Sequence, residues 1–176
     1  MFKGGEALTK IAVRLRRLAL IVGATSIIGT FAWWLTVDLQ TILGENYDAQ
    51  PISPHTRSLM HVAGLLIELL PLAVQLWIVT LLYRFASEIE RGNVFDTARL
   101  YRQLGFAAIA LALADVIAGS LARAVLTLIA NPHVLSIGLA LTSGDVGIIL
   151  VGAILIATSS FIAMAQAAQR ENDEFV

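Results

Sequence analysis

The sequence predicts an all-α fold, an integral membrane four-helix bundle with both termini cytoplasmic, and three observations predict it. Four apolar runs, Leu18–Val37, Val62–Phe85, Gly105–Ala130 and Gly144–Gln166, divide the chain. Each can cross a bilayer, because about 20 helical residues at 1.5 Å rise cover the roughly 30 Å hydrocarbon layer. Charged residues make up only 14% of the 176, and they are missing from the runs rather than thinned evenly. Ten of the twelve Lys and Arg lie on one side of the resulting map: nine before the first run, between the second and third or after the fourth, and Arg84 at the very end of the second.

Composition narrows the class. The chain is 57% hydrophobic, with a mean hydropathy of +0.78, whereas a soluble domain carries about a quarter charged residues. Little sequence lies outside the runs, so residues 1–176 read as one membrane domain. A formal charge of −1 lacks the basic stripe of a nucleic-acid surface, so no direct nucleic-acid partner is expected. Zero cysteines exclude disulfides, thiolate metal sites and Cys nucleophiles.

The first run follows a basic stretch holding Lys10, Arg14, Arg16 and Arg17. It is longer than the 7–15-residue core of a cleavable signal peptide, and it ends at Trp33-Trp34, a pair suited to the headgroup level. It reads as an uncleaved span. The connection Asp38–His61 holds Glu45, Asp48, Pro51 and Pro54, and its Pro-Ile-Ser-Pro stretch disfavours regular helix. The second run carries Glu68, Pro71 and Gln75, and Gly92-Asn93 is suited to stopping it. In the loop 86–104, Asp96 or Thr97 can cap a short interfacial helix. Leu100, Tyr101 and Leu104 would lie on one face of that helix, with Arg99, Arg102 and Gln103 on the other; a solvated connector is the alternative. The third run contains Asp115 and Arg123. After the connection Asn131–Ser143, Thr142 or Ser143 should cap the fourth run, with Asp145 near the positive end of its dipole. Gly144, Gly147 and Gly152, and Gly23 with Gly29, permit close helix approach.

Charge sets the orientation. Lys3, Lys10, Arg14, Arg16, Arg17, Arg84, Arg91, Arg99, Arg102 and Arg170 all map to one side, whereas the opposite loops hold only Arg57. Positive residues stay cytoplasmic, which predicts an N-in/C-in topology.

Ionisable groups inside the spans bear most directly on function. Each costs about 2.5–3.5 kcal/mol at membrane depth even on the mildest scale, so each should face a partner or a cavity. Counting from the outer ends places Glu68 and Arg123 roughly 10 Å deep, and Gln75 and Asp115 near 20 Å. Equal depths predict a charge-assisted Glu68–Arg123 bridge, with Gln75 donating to Asp115. The cluster Glu68, Gln75, Asp115 and Arg123 either locks the bundle, or lines a ligand or proton pathway, or binds another membrane protein. His55, His61 and His133 are weak external candidates for a metal or pH-sensing cluster; they lack ligand spacing, so no metal site is assigned. There is no Gly-rich phosphate loop, His-Glu-x-x-His or Gly-x-Ser-x-Gly. A non-enzymatic protein without a cofactor is expected.

Two segments carry a resemblance. Arg91-Gly92-Asn93-Val94-Phe95-Asp96, followed by Leu100 and Leu104-Gly105, is similar to the Gly-x-Val-Phe-Ser/Thr signature of a bacterial four-span membrane family of unknown function, domain-of-unknown-function family 2975. The end, Gln169-Arg170-Glu171-Asn172-Asp173-Glu174-Phe175-Val176, resembles that family's Arg-Glu-Glu-Asn-Glu-Leu-Thr-Val tail. Asp96 stands in place of the usual hydroxyl residue and Arg99 where Asn is common, and the tail departs at Asp173 and Phe175. The resemblance implies a multi-pass protein of the bacterial inner membrane. It also implies a small cytoplasmic helix-turn-helix regulator as partner, held through Phe95, Asp96, Arg99, Arg102, Glu171, Asp173 and Glu174. A second copy of the chain is a further candidate partner. The alternative is a small transporter or channel built on the Glu68/Asp115/Arg123 groove.

Overall fold

The computed structural model describes residues 4–39, 42, 53–91, 97–131, 133, 138–139 and 141–174. It contains four long helices, α1 (Gly4–Thr36), α2 (Pro54–Glu90), α3 (Thr97–Ala130) and α4 (Ser143–Glu174). There is no strand among the described residues. All four helices are long and apolar enough to cross a membrane, so the protein is an all-α, multi-pass membrane protein. Their broad apolar surfaces agree: Leu35 of α1 is 79% exposed and Phe161 of α4 is 68% exposed, which only lipid or another protein can cover.

The helices are longer than the runs that predicted them. With 32 to 37 residues each, they reach about 48–55 Å, some 20 Å more than the hydrocarbon. All four overrun it at the arginine-rich end, as residues 4–17 of α1, 86–90 of α2, 97–104 of α3 and 167–174 of α4, and α2 also extends at its other end through residues 54–61. The short interfacial helix expected in the loop 86–104 is therefore not a separate element. Residues Thr97–Leu104 are the first two turns of α3, continuous to Ala130. The reason is packing: Leu100 and Leu104 are buried in one cluster with Leu81 and Ala107, so they face α2 rather than the bilayer surface.

At its other end α2 begins at Pro54, inside the stretch expected to be irregular. Proline is accommodated at the first helical position, where its missing N–H would have no partner in any case. Ser53 caps the helix, its Oγ accepting from the Thr56 N–H at 3.1 Å. The cap predicted for the fourth run is present in full. Thr142 Oγ1 accepts from the Asp145 N–H at 3.2 Å, and Asp145 Oδ2 accepts from the Thr142 N–H and hydroxyl, each at 2.7 Å. This reciprocal pairing satisfies donors that a helix start leaves open.

Substantial contacts join only consecutive helices, α1 to α2, α2 to α3 and α3 to α4. α3 is the core helix, with 39% of its most apolar stretch buried against 11–17% for the others. It achieves this with small side chains: Ala107, Ala108, Ala112, Ala114, Ala118 and Ala122 are all buried, which brings neighbouring backbones close. α3 and α4 touch where Gly105 and Gly152 face each other. Trp33 faces outward, 58% exposed, but Trp34 does not. It is 5% exposed, and its ring lies on Gly64 of α2. Gly29 and Gly147 have no neighbour within 4 Å of a Cβ built on them, so the close approach expected of them is absent.

Candidate functional sites

The polar cluster in the spans is assembled differently from its sequence prediction. Phe85 and Tyr101 meet edge-on, 5.2 Å between ring centroids, and fix the α2–α3 register. Met60 and Leu126, equally far along the two antiparallel helices, share one buried cluster at the opposite end. Counting along this register puts Glu68 level with Ala118, about five residues or 7–8 Å from the level of Arg123. Neither a Glu68–Arg123 ion pair nor a Gln75–Asp115 hydrogen bond forms among the described residues; the pairs present are Arg16–Glu90 and Arg91–Glu88. Apolar and aromatic packing at both ends of the interface sets the register, and charge matching does not override it.

The Glu68 carboxylate instead lies within electrostatic reach of Asp115 on α3, and Asp115 within reach of Asp145 on α4. Three acidic side chains thus step across three adjacent helices. Asp115, Ser120, Arg123, Thr142 and Asp145 line a cavity of about 250 Å³ between α3 and α4. The Arg123 guanidinium lies near Gly138, before α4, where a Cβ on Gly138 would meet its Nη1 at 3.3 Å. Arg123 is exposed, whereas Asp145 is 7% exposed and held by Thr142. The sequence places Asp145 only near the positive end of the α4 dipole; in the structure it also pairs reciprocally with Thr142 and forms a wall of the cavity. Pro71 leaves the Ile67 carbonyl without its helical donor, one residue from Glu68.

A second polar site lies at the arginine-rich end. A cavity of about 610 Å³ opens between α2 and α3, with Tyr83, Arg84, Ser87 and Arg91 on one wall and Arg99 and Gln103 on the other. Arg16 of α1 fixes two of its members from behind. Its guanidinium stacks over the Tyr83 ring at 5.0 Å, donates to Ser87 Oγ at 2.9 Å, and bridges Glu90 at 2.7 Å. Arg91 is held by Glu88 at 3.2 Å. The depth count applied to Glu68 would have found Arg16 and Glu90, since each lies just beyond its apolar run on the same side.

Arg99 also lines a groove of about 230 Å³ with Arg102, Ser159 and Ser160, between α3 and α4, and Arg102 stacks over Phe106 at 5.8 Å. Glu171 is exposed near the end of α4. Phe95 and Asp96, with Glu45, Asp48 and the motif residues Gly92 and Asn93, lie outside the described residues, as do the side chains of Asp173 and Glu174. His55 and His133 are exposed and His61 is half-buried; no His, Cys, Asp or Glu group of metal-binding size occurs among the described residues. No family model, curated protein or solved structure matches this chain.

Proposed function

We propose that the chain is a non-enzymatic regulatory or accessory protein of the bacterial inner membrane, with both termini in the cytoplasm, acting through its arginine-rich end. The observation that carries this reading is the shared overrun of the helices. All four continue past the hydrocarbon at the end where ten of the twelve cations cluster, and Arg16 ties α1 to α2 there. Such a rigid basic platform, beside the exposed Glu171 turn of α4, suits a soluble partner that meets charge of both signs. The loop and tail resemblance points to a small helix-turn-helix regulator docking on Phe95, Asp96, Arg99, Arg102, Glu171, Asp173 and Glu174. Deleting residues 171–176 should abolish co-purification of that regulator while leaving insertion intact; retained binding refutes the tail as the contact. The absence of native cysteine makes topology directly testable. A single cysteine at Lys10 or Asn172 should resist membrane-impermeant maleimide in intact cells, and labelling at either would overturn the orientation.

A second reading, a small transporter or channel, is favoured by one observation, the acidic and Arg123-lined cavity between α3 and α4. It predicts ion or proton flux in liposomes that is lost on Glu68→Gln or Asp115→Asn. Tight liposomes containing the intact protein would remove it.

A further inference from the structure

The larger cavity at the arginine-rich end is built for an anionic group. Its walls carry three guanidiniums, from Arg84, Arg91 and Arg99, against one carboxylate, Glu88. Glu88 is already engaged by Arg91, and neither Arg84 nor Arg99 has an ion-pair or hydrogen-bond partner among the described residues. Neutral donors line the same space, the Gln103 amide and the Tyr83 hydroxyl, whereas the Ser87 hydroxyl already donates to the Tyr83 carbonyl at 3.0 Å. Two unpaired guanidiniums offering forked N–H donors match the geometry of a phosphate oxyanion.

The depth of the cavity identifies what carries the phosphate. Its α2 wall runs from Thr80 to Arg91, about 16 Å along the helix axis. Thr80 lies within the apolar run ending at Phe85, and Arg91 lies beyond it, so the cavity crosses the headgroup layer from acyl-chain depth to solvent. An anionic phosphate joined to an acyl chain fits that gradient from one end to the other. A free phosphate would use only the upper half. The volume, about 610 Å³, falls within the range of small-molecule sites.

We infer that the α2–α3 cavity is a binding site for an anionic phospholipid, whose phosphate sits between Arg84 and Arg99 and whose glycerol and upper chain follow the α2 wall toward Thr80. Arg16, by holding Tyr83 and Ser87, is a positioning residue for this site. The inference is independent of the proposed regulatory partner, because a lipid site here would stand even if no regulator co-purified.

The test uses the full chain in mild detergent, incubated with equimolar phosphatidylglycerol and phosphatidylcholine and read by native mass spectrometry. The intact protein should retain phosphatidylglycerol selectively. Arg84→Gln/Arg99→Gln should lower that retention by about 30-fold, given the usual contribution of each cation near an anionic lipid, while Arg57→Gln at the opposite end changes nothing. Arg84→Lys/Arg99→Lys keeps the charge needed for insertion but loses the forked geometry; it should fall between the two, and it carries the test if the Gln pair fails to insert. Equal retention of both lipids by the intact protein, or undiminished selectivity in the Gln pair, overturns the site. Displacement of the lipid by excess inorganic phosphate overturns the lipid assignment in favour of a soluble phosphate ligand.

Discussion

Gly152→Ala is the sharpest probe of how α3 and α4 are joined. A Cβ at residue 152 would lie 2.7 Å from the Gly105 carbonyl oxygen and 2.8 Å from Ile109 Cγ1, whereas ordinary contact begins at 3.4 Å. The nearest atom is backbone, so no side chain can swing away, and α4 must retreat by about 0.7 Å along the contact. Overpacking of this kind costs about 1–3 kcal/mol, opposed by the gain of roughly 0.8–1 kcal/mol that Ala has over Gly inside a helix. A net loss of up to about 2 kcal/mol is expected in detergent-resistance unfolding followed by tryptophan fluorescence, leaving Gly152→Ala about 1–3 kcal/mol less stable than an Ala substitution that meets no neighbour. Gly147→Ala is the internal control, because nothing lies within 4 Å of its Cβ and only the helix gain should appear. Since a Cβ on Gly105 would reciprocally lie 2.6 Å from the Gly152 carbonyl oxygen, the Gly105→Ala/Gly152→Ala pair should cost less than the sum of its singles: one retreat accommodates both methyls. If Gly152→Ala and Gly147→Ala proved equally stable, the close backbone crossing would be refuted.

Other interfaces give further expectations. Trp34→Ala, which empties the α1–α2 wedge on Gly64, should cost about 3–5 kcal/mol, measured in the same unfolding assay through the remaining tryptophans; a loss below 1 kcal/mol would place the ring in lipid. Thr142→Val removes the α4 cap and should lower stability by about 1 kcal/mol, visible as a reduced thermal midpoint by circular dichroism. Glu68→Gln and Arg123→Gln should be additive to within roughly 0.5 kcal/mol in a double-mutant cycle, as for residues without a shared contact; a larger coupling would restore the predicted bridge. Arg16→Gln should loosen the α1–α2 platform, and the same cycle with Glu90→Gln should show coupling that weakens as salt is raised.

Where the sequence was informative, one physical reason explains it. Lipid cannot hydrogen-bond a backbone, so a long apolar run has little choice but to be a helix; hence the four spans were legible without tertiary information. Local capping chemistry was equally legible at Thr142 and Asp145, because it depends on residues three apart. Failures came where separate helices meet. Glu68 and Arg123 were matched by depth, yet the register follows Phe85 on Tyr101 and Met60 with Leu126, contacts that no single run encodes. Trp34 was assigned to the headgroup level by residue type, and only the bare backbone of Gly64 opposite it explains its burial. The acidic cavity is half legible: Asp115 and Arg123 stand out as ionisable groups inside one span, but Asp145 sits on a different helix, where its position marks only the start of α4.

By itself the sequence determined that this chain lives in a bilayer as four helices and which end carries its cations, since transfer of apolar and charged groups between water and hydrocarbon is decided residue by residue. Tertiary structure alone decided which polar groups share a cavity. Side-by-side placement of helices depends on shape, on glycines and alanines that admit a neighbour and on rings that interlock. Those terms fix the sliding distance between helices to within a turn, and a turn is enough to part Glu68 from Arg123.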